Sequence, residues 1–206
     1  MDDIEETHVK NVYEKIAHHF SDTRVYKWSW VINFLDSLKK NSLVYDLGCG
    51  NGRNMNHGGL NFIGIDNCEN FINICNEKKL KVINSNITSI PLSGNSADAI
   101  ICIAVFHHLS CYENRLNSLI EMKRLVKNGG KILLSVWSII QPKKTRRTFN
   151  NYGNNIVLWD DKGKIYERFY YIFKLDEIRE LIKKSGLIII DYQYNCGNEI
   201  FTLMKI

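Results

Sequence analysis

Leu43-Val44-Tyr45-Asp46-Leu47-Gly48-Cys49-Gly50-Asn51-Gly52, followed closely by Asn61-Phe62-Ile63-Gly64-Ile65-Asp66, decides the architecture of this chain. The first segment reads as a buried strand running into a glycine turn that opens a helix. The second reads as another apolar strand, and it ends in an acid. Gly48, Gly50 and Gly52 let the backbone turn sharply and approach a ligand more closely than a Cβ would allow. Asp66, at the end of the second strand, is placed to accept hydrogen bonds from two ribose hydroxyls. The loop is D-x-G-x-G-x-G, in contrast to the G-x-G-x-x-G of pyrophosphate binders. Its leading carboxylate, Asp46, would repel phosphate and suits a cation. S-adenosylmethionine carries both an ammonium and a sulfonium, so the pattern points to a methyl donor in place of a dinucleotide.

Outward from this segment the chain alternates strands and helices. Val9, Tyr13, Ile16 and Phe20 recur at helical spacing over residues 6–20, which predicts an amphipathic helix. A second helix is expected over 28–38, joined to the first by the cationic and aromatic link Thr23-Arg24-Val25-Tyr26-Lys27. Further helices are expected over 69–78, 115–126 and 175–185, and strands over 81–84, 97–105, 131–137, 187–194 and 199–204. Asn128-Gly129-Gly130 reads as the glycine stop of the helix over 115–126. Residues 138–166 read as one long connection, a length that usually carries function or lacks fixed structure. Nearly continuous apolar strands alternating with helices predict an α/β, Rossmann-like, doubly wound sheet covered on both faces. A single domain over 1–206 is expected, with N-terminal helices in 1–40, a cofactor-binding core in 41–137, and a substrate loop and closing strands in 138–206. Ligands of such sheets bind beyond the carboxyl ends of the strands. Asp46, Asp66, Asn86, His107, His108 and Trp137 all fall there.

The totals narrow the class. At 206 residues the chain fits one core that buries about 70% of its unfolded surface. No apolar run approaches the roughly twenty residues of a membrane span. Asp2, Asp3, Glu5 and Glu6 have the wrong sign for a targeting peptide, so the cytoplasm, with the nucleus as a second compartment, is expected. The six cysteines form no C-x-x-C pair and no zinc-type spacing, so reduced thiols and no metal are expected. A net charge of +5 permits nucleic acid binding without requiring it.

Longer motifs are more specific. His19-Phe20-Ser21-Asp22-Thr23-Arg24, Asp46-Leu47-Gly48-Cys49-Gly50-Asn51-Gly52, Ala104-Val105-Phe106-His107-His108-Leu109-Ser110 and Gly130-Lys131-Ile132-Leu133-Leu134-Ser135-Val136-Trp137 form one set. Leu158-Trp159 and Tyr166-Glu167-Arg168-Phe169-Tyr170-Tyr171-Ile172-Phe173 complete it. Together they resemble the tRNA wobble-uridine carboxymethyl methyltransferases, a family that includes a stand-alone fungal enzyme and the methyltransferase domain of AlkB homologue 8. The resemblance implies a seven-stranded sheet with one antiparallel strand, and S-adenosylmethionine-dependent conversion of 5-carboxymethyluridine in tRNA to its methyl ester. It also implies a heterodimer with a small zinc-binding activator protein covering an apolar strand edge, here the third strand near Val82 and Ile83. Asn86 stands where the family usually has an acid for the adenine amino group; its side-chain carbonyl is expected to accept that bond. Arg53 replaces a frequent Lys, and the long connection looks shorter than in larger relatives.

The cofactor set is then Asp46, Gly48, Cys49, Gly50, Gly52, Asp66, Asn67, Asn86, Ile87 and Ala104. A carboxylate acceptor is already ionised at neutral pH and needs no general base. Catalysis reduces to placing one oxygen in line with the methyl group. Arg24 is the expected grip on that acid, with His107 or His108, and Trp137, shaping the uridine pocket by hydrogen bonding and stacking. Trp159, Arg168 and Tyr170 are further candidates for the pocket. Lys143, Lys144, Arg146 and Arg147 either meet tRNA phosphates or form a solvated loop. A methyltransferase for small carboxylic acids, or a catalytically silent tRNA-binding subunit, would share the glycine loop's fold.

Overall fold

A computed structural model describes residues 3–143 and 148–206. Its centre is a seven-stranded sheet of order β3-β2-β1-β4-β5-β9-β8. The strands are β1 Leu43–Leu47, β2 Asn61–Asp66, β3 Val82–Asn84, β4 Ala97–Ile103, β5 Val126–Trp137, β8 Ile188–Asn195 and β9 Asn198–Met204. The first five are mutually parallel, and β9 alone runs antiparallel to its neighbours β5 and β8. The strand order reverses between β1 and β4, so the loops after these strands diverge and open a crevice at their carboxyl ends.

Both faces of the sheet are covered. Ile100, Leu134, Phe201 and Leu119 belong to one core, with the helices α5 Tyr112–Leu125 and α6 Leu175–Ser185 packed on it. Val44, Phe62, Ile101 and Leu133 on the other face meet Trp30, Val31, Phe34 and Leu35 of α3 Ser29–Asp36. That helix does work the sequence pattern assigned elsewhere. No helix follows the glycine loop; residues 48–60 run through successive turns into β2. Gly50, Asn51, Gly52, Asn54, Asn56, Gly58 and Gly59 explain this, since glycine costs about 1 kcal/mol per helical position and asparagine prefers turns. α3 fills the vacated face.

Two further boundaries move. α5 ends at Leu125, and Val126 is already extended, so the glycine pair does not cap the helix. Gly129 instead turns with φ +73° and donates its N–H to the Lys205 carbonyl at 2.7 Å. Residues 138–166 are not a plain connection either. They contain β6 Gly153–Asp161, which pairs with β7 Lys164–Ile172 in a separate two-stranded ribbon. Lys162 and Gly163 both have positive φ, the backbone of a tight hairpin turn whose twist matches its strands. Ile156 and Leu158 point to one side and Val157 and Trp159 to the other, so apolar residues occupy both faces and the alternation that marks a half-buried strand is blurred.

The N-terminal helical stretch lies beneath this ribbon. It begins as α1 Asp3–Glu5, continues through a π-helical segment Glu6–Lys10, and ends as α2 Asn11–Thr23. Val12, Tyr13, Ile16 and Ala17 face α4 Glu69–Glu77, in a cluster that includes Phe71 and Ile74, while Trp159 and Tyr166 of the ribbon pack on the same cluster. Buried Glu5 pins the start. Its Oε1 accepts from the Ser110 N–H at 2.8 Å, the Ser110 hydroxyl at 3.0 Å and the Asn114 amide at 2.9 Å. Glu5→Ala should therefore destabilise the protein by about 2–3 kcal/mol, read as a lower midpoint of chemical denaturation, with Glu5→Gln retaining part of the loss.

Candidate functional site

The crevice above β1 and β4 is a cavity of about 390 Å³ with two chemically distinct ends. The first end is the glycine loop. Gly48 adopts φ +69°, and a Cβ there would stand 2.3 Å from the Val105 side chain, so only glycine serves. The amides of Gly48 and Cys49 bond the Ile65 carbonyl at 2.7 and 3.0 Å, which ties the loop to β2. Asp66 closes it from the other side, accepting the Gly50 N–H at 2.8 Å and the Cys68 N–H at 3.0 Å. Each of its oxygens keeps a lone pair for a ligand hydroxyl.

Asp46 lies behind the loop, 1% exposed, and among the described residues its Oδ2 has no hydrogen-bond partner. Burial pushes its carboxyl up to about 7, against the opposing field of Arg53. Burial also raises Asp66 to about 6, against the backbone N–H groups of Cys68, Gly50 and Asn67. An under-satisfied acid beside a glycine cradle is what a cationic nucleoside would complete, and S-adenosylmethionine fits that donor set. Asn67, Asn86, Ile87 and Ala104 line the same end. Gly52 and Asp46 do not; the open face of Gly52 is filled by Leu80 and Cys75, so it serves the turn, and Asp46 is buried behind the wall. The Asn86 carbonyl is already spent, since Oδ1 accepts from both the Thr88 N–H and the Thr88 hydroxyl at 3.0 Å. An Asn two residues before a Thr closes a local turn this way, so the expected bond from that oxygen to adenine is not free to form.

The second end is cationic and aromatic. Arg24 and Arg168 both line it. The Arg24 guanidinium lies 4.9 Å from the Phe20 ring and 5.6 Å from Trp159, and that of Arg168 lies 4.8 Å from Trp159 and 5.3 Å from Tyr170. Trp159 thus stands under both cations and outside the wall itself. Trp137 and Tyr170 stack at 4.2 Å with their rings only 8° apart, making a flat panel. Among the described residues no carboxylate lies within ion-pair distance of either arginine. Burial lowers the Arg24 guanidinium from its ordinary value, and the charge of Arg168 adds to that.

The two histidines part company. His107 is buried outside the cavity wall, and its Nδ1 accepts the backbone N–H of Trp137 at 3.0 Å, so it supports the panel from behind. His108 reaches the wall, but both ring nitrogens are engaged, Nδ1 with the Phe169 carbonyl at 2.7 Å and Nε2 with the Tyr13 hydroxyl at 3.1 Å. Lys143 is exposed and away from the cavity. Lys144, Arg146 and Arg147 lie outside the described residues. Tyr13, Phe20, Trp28 and Arg53 also form the wall, with the Arg53 guanidinium 4.3 Å from the Trp28 ring, and the sequence pattern had assigned none of them there. Tyr13 and Phe20 had the helical spacing of core residues, and only their polar or aromatic neighbours reveal more.

The Methyltransferase domain family matches residues 45–134. A tRNA (carboxymethyluridine(34)-5-O)-methyltransferase of Schizosaccharomyces pombe is 33% identical over 217 residues, covering 94% of this chain and 94% of that protein. The chain belongs to this methyltransferase family. The mouse relative ALKBH8, named for the same activity, is 37% identical over 159 residues that cover 77% of the chain and 24% of that protein. The chain therefore spans about a quarter of the length of that relative. Among solved structures, a methyltransferase in complex with the Trm112 methyltransferase activator of Haloferax volcanii superposes with a TM-score of 0.70 at 14% identity, over 95% of this chain and 96% of that one. That likeness establishes the shared fold of this methyltransferase.

The two raised carboxyls carry a pH dependence. Asp46 and Asp66 hold protons in the folded, ligand-free methyltransferase that the unfolded chain releases above about pH 4, so their contribution to stability is lost as pH rises through about 6 and 7. A ligand ammonium needs Asp46 ionised. Stabilisation by saturating S-adenosylhomocysteine should therefore be larger at pH 8 than at pH 6, with affinity falling by up to about tenfold per unit below pH 7. Thermal shifts across that range test this, and in Asp46→Asn the dependence should flatten.

Proposed function

We propose that this chain transfers the methyl group of S-adenosylmethionine to the carboxylate of 5-carboxymethyluridine at the tRNA wobble position, giving the methyl ester. The observation that carries this reading is the pair Arg24 and Arg168, two cations without an ion-paired acid among the described residues, facing the cavity that the glycine cradle opens into. A chamber of that polarity favours an anionic acceptor, and family membership names one.

Bound S-adenosylmethionine supplies a sulfonium-activated methyl group, and the chain supplies position. Asp66 meets the ribose of the donor, and Asp46, buried behind the cradle, directs a negative field toward its cationic part. The Trp137 and Tyr170 panel offers a flat wall for a pyrimidine, which is how unpaired bases are commonly held. Arg168 and Arg24 orient the acid so that one oxygen faces the methyl group. No proton has to move, and the engaged nitrogens of His108 agree with that. The grip must stay loose on the attacking oxygen, because an arginine that binds both oxygens stabilises the ground state more than the transition state. Esterification then removes the negative charge, so the arginines release the product.

Two partners follow. tRNA is the substrate, held outside the cavity by phosphate contacts for which Lys143, Lys144, Arg146 and Arg147 are candidates. A small zinc-binding activator is the protein partner, seated on β3, the outermost strand on its side of the sheet, where Val82 and Ile83 are half-buried. An unpaired strand edge with apolar side chains is a liability that a partner would cover.

The reading is tested with labelled S-adenosylmethionine and tRNA from cells that cannot form the ester, with and without the activator, followed by nucleoside mass analysis. A methyl ester of 5-carboxymethyluridine is expected, with kcat/KM lower by about 100-fold in Arg168→Ala, equivalent to roughly 3 kcal/mol. No transfer to tRNA by a donor-bound, activator-bound protein that methylates small acids would overturn it. Replacing Lys143 and Lys144 together should flatten the salt dependence of tRNA binding by about two units of slope.

A further inference from the structure

The link between α2 and α3 crosses the rim of the cavity. α2 ends at Thr23 and α3 begins at Ser29, and of the link residues 24–28 Arg24 and Trp28 line the cavity while Val25, Tyr26 and Lys27 do not. Consecutive Cα atoms are about 3.8 Å apart, so the backbone of Tyr26, two residues from each wall position, stands within about 7.6 Å of both. The link is an arch with its feet in the wall.

That arch is held from below. Asn51, in the turn after the glycine cradle, donates from Nδ2 to the carbonyls of Ser21 at 3.3 Å and Arg24 at 3.1 Å, and the Lys27 ammonium donates to the Asn56 carbonyl. The far foot is fixed as well, since Trp28 stacks on Trp30 at 5.3 Å with the rings 13° apart. Its apex is bare. Val25 is 65% exposed and Tyr26 88%, the highest value for a large apolar side chain among the described residues. A lone exposed apolar residue needs no explanation, but here an aromatic ring and its apolar neighbour are held out together at the mouth of a cavity by a pinned link.

The acceptor strand has a face to match. A nucleotide whose base enters a cavity must leave its stack, so the base beside it loses a neighbour. Every base has a π-face that stacks on aromatic side chains, whatever the sequence. Arg24 and Lys27 flank the apex with the charge that suits a phosphate backbone.

We propose that Tyr26, with Val25 beside it, is the stacking platform for an unpaired base adjacent to the wobble uridine, replacing the uridine that has swung into the cavity. The inference rests on the tRNA reading of the site and extends it from the reacting nucleotide to its neighbour. The same link carries Arg24 into the chamber, so a base seated on Tyr26 sets the register between the RNA strand and the methyl donor.

The test uses an anticodon stem-loop RNA bearing 5-carboxymethyluridine, and the same RNA with an abasic residue on the 5′ or the 3′ side of that uridine. Binding to the protein with its activator is measured in the presence of S-adenosylhomocysteine, and transfer with S-adenosylmethionine. For the wild type, one of the two abasic RNAs should bind about tenfold more weakly than the intact RNA, the size of one base stacked on an aromatic ring. Tyr26→Ala should lose as much on the intact RNA and nothing further on that abasic RNA, as two changes to one contact do. Tyr26→Phe and Tyr26→Trp, which keep a ring, should stay within about threefold of the wild type, and S-adenosylhomocysteine affinity within about twofold throughout. A Tyr26→Ala protein that binds the intact RNA as the wild type does, or a loss that neither abasic RNA abolishes, overturns the platform. Weaker activator binding in Tyr26→Ala with RNA affinity unchanged gives the surface to the protein partner and overturns it too. Tyr26-dependent binding of an RNA that is never methylated overturns the methyl-ester reading and leaves the platform standing, whereas no binding of RNA by the wild type overturns both.

Discussion

Arg24 and Arg168 share a sheltered chamber in which no acid among the described residues pairs with either, and two like charges so placed repel unless the surroundings hold them. Much of the upper half of the molecule does this. Trp159 offers its ring to both guanidinium groups, Phe20 takes a face of Arg24, and the Tyr170 ring lies 5.3 Å from the Arg168 guanidinium. The β6 and β7 ribbon carries Trp159 and Arg168 together, and the N-terminal helix carries Tyr13 and Phe20, so the chamber exists only where ribbon and helix meet. Glu5, anchoring the first turn of that helix to Ser110 and Asn114, is part of the same construction.

The opposite end of the cavity has the opposite sign. Asp46 and Asp66 are raised by burial and lack enough partners to be comfortable as anions, while the other end is short of negative charge. A cationic donor and an anionic acceptor would each find the complementary end, and the reacting atoms would meet between them. Charge disappears as sulfonium and carboxylate neutralise one another, so a wall that orients both without gripping either too tightly suits the reaction.

The sheet shows how far local patterns reach. The parallel strands of the core were legible because each is a short apolar run bounded by turns, and β8 and β9 because Cys196-Gly197 separates two apolar segments. The helix after the glycine loop was misread because the fold usually has one, whereas asparagine and glycine leave only turns here. The ribbon was hidden by apolar residues on both faces of its strands. Its Lys162-Gly163 turn was the one local signal, and it was weak. Asn86 shows the same limit on a smaller scale: its residue type allowed an adenine contact, and Thr88, two residues on, had already taken the oxygen.

By itself the sequence determined the fold class, the cofactor cradle and the family, because glycine at positive φ, an acid at a strand end and contiguous motifs are local constraints that residue identity enforces. Tertiary structure decided which residues gather at the cationic end of the cavity. Tyr13, Arg24, His108 and Arg168 are separated by up to 155 positions and come from a helix, a link, a strand end and a ribbon, so their meeting depends on packing that no local pattern encodes. It also decided between neighbours that the sequence left equivalent: a change of direction of one residue puts His107 behind the panel and His108 into the wall, where the Phe169 carbonyl and the Tyr13 hydroxyl engage both of its ring nitrogens.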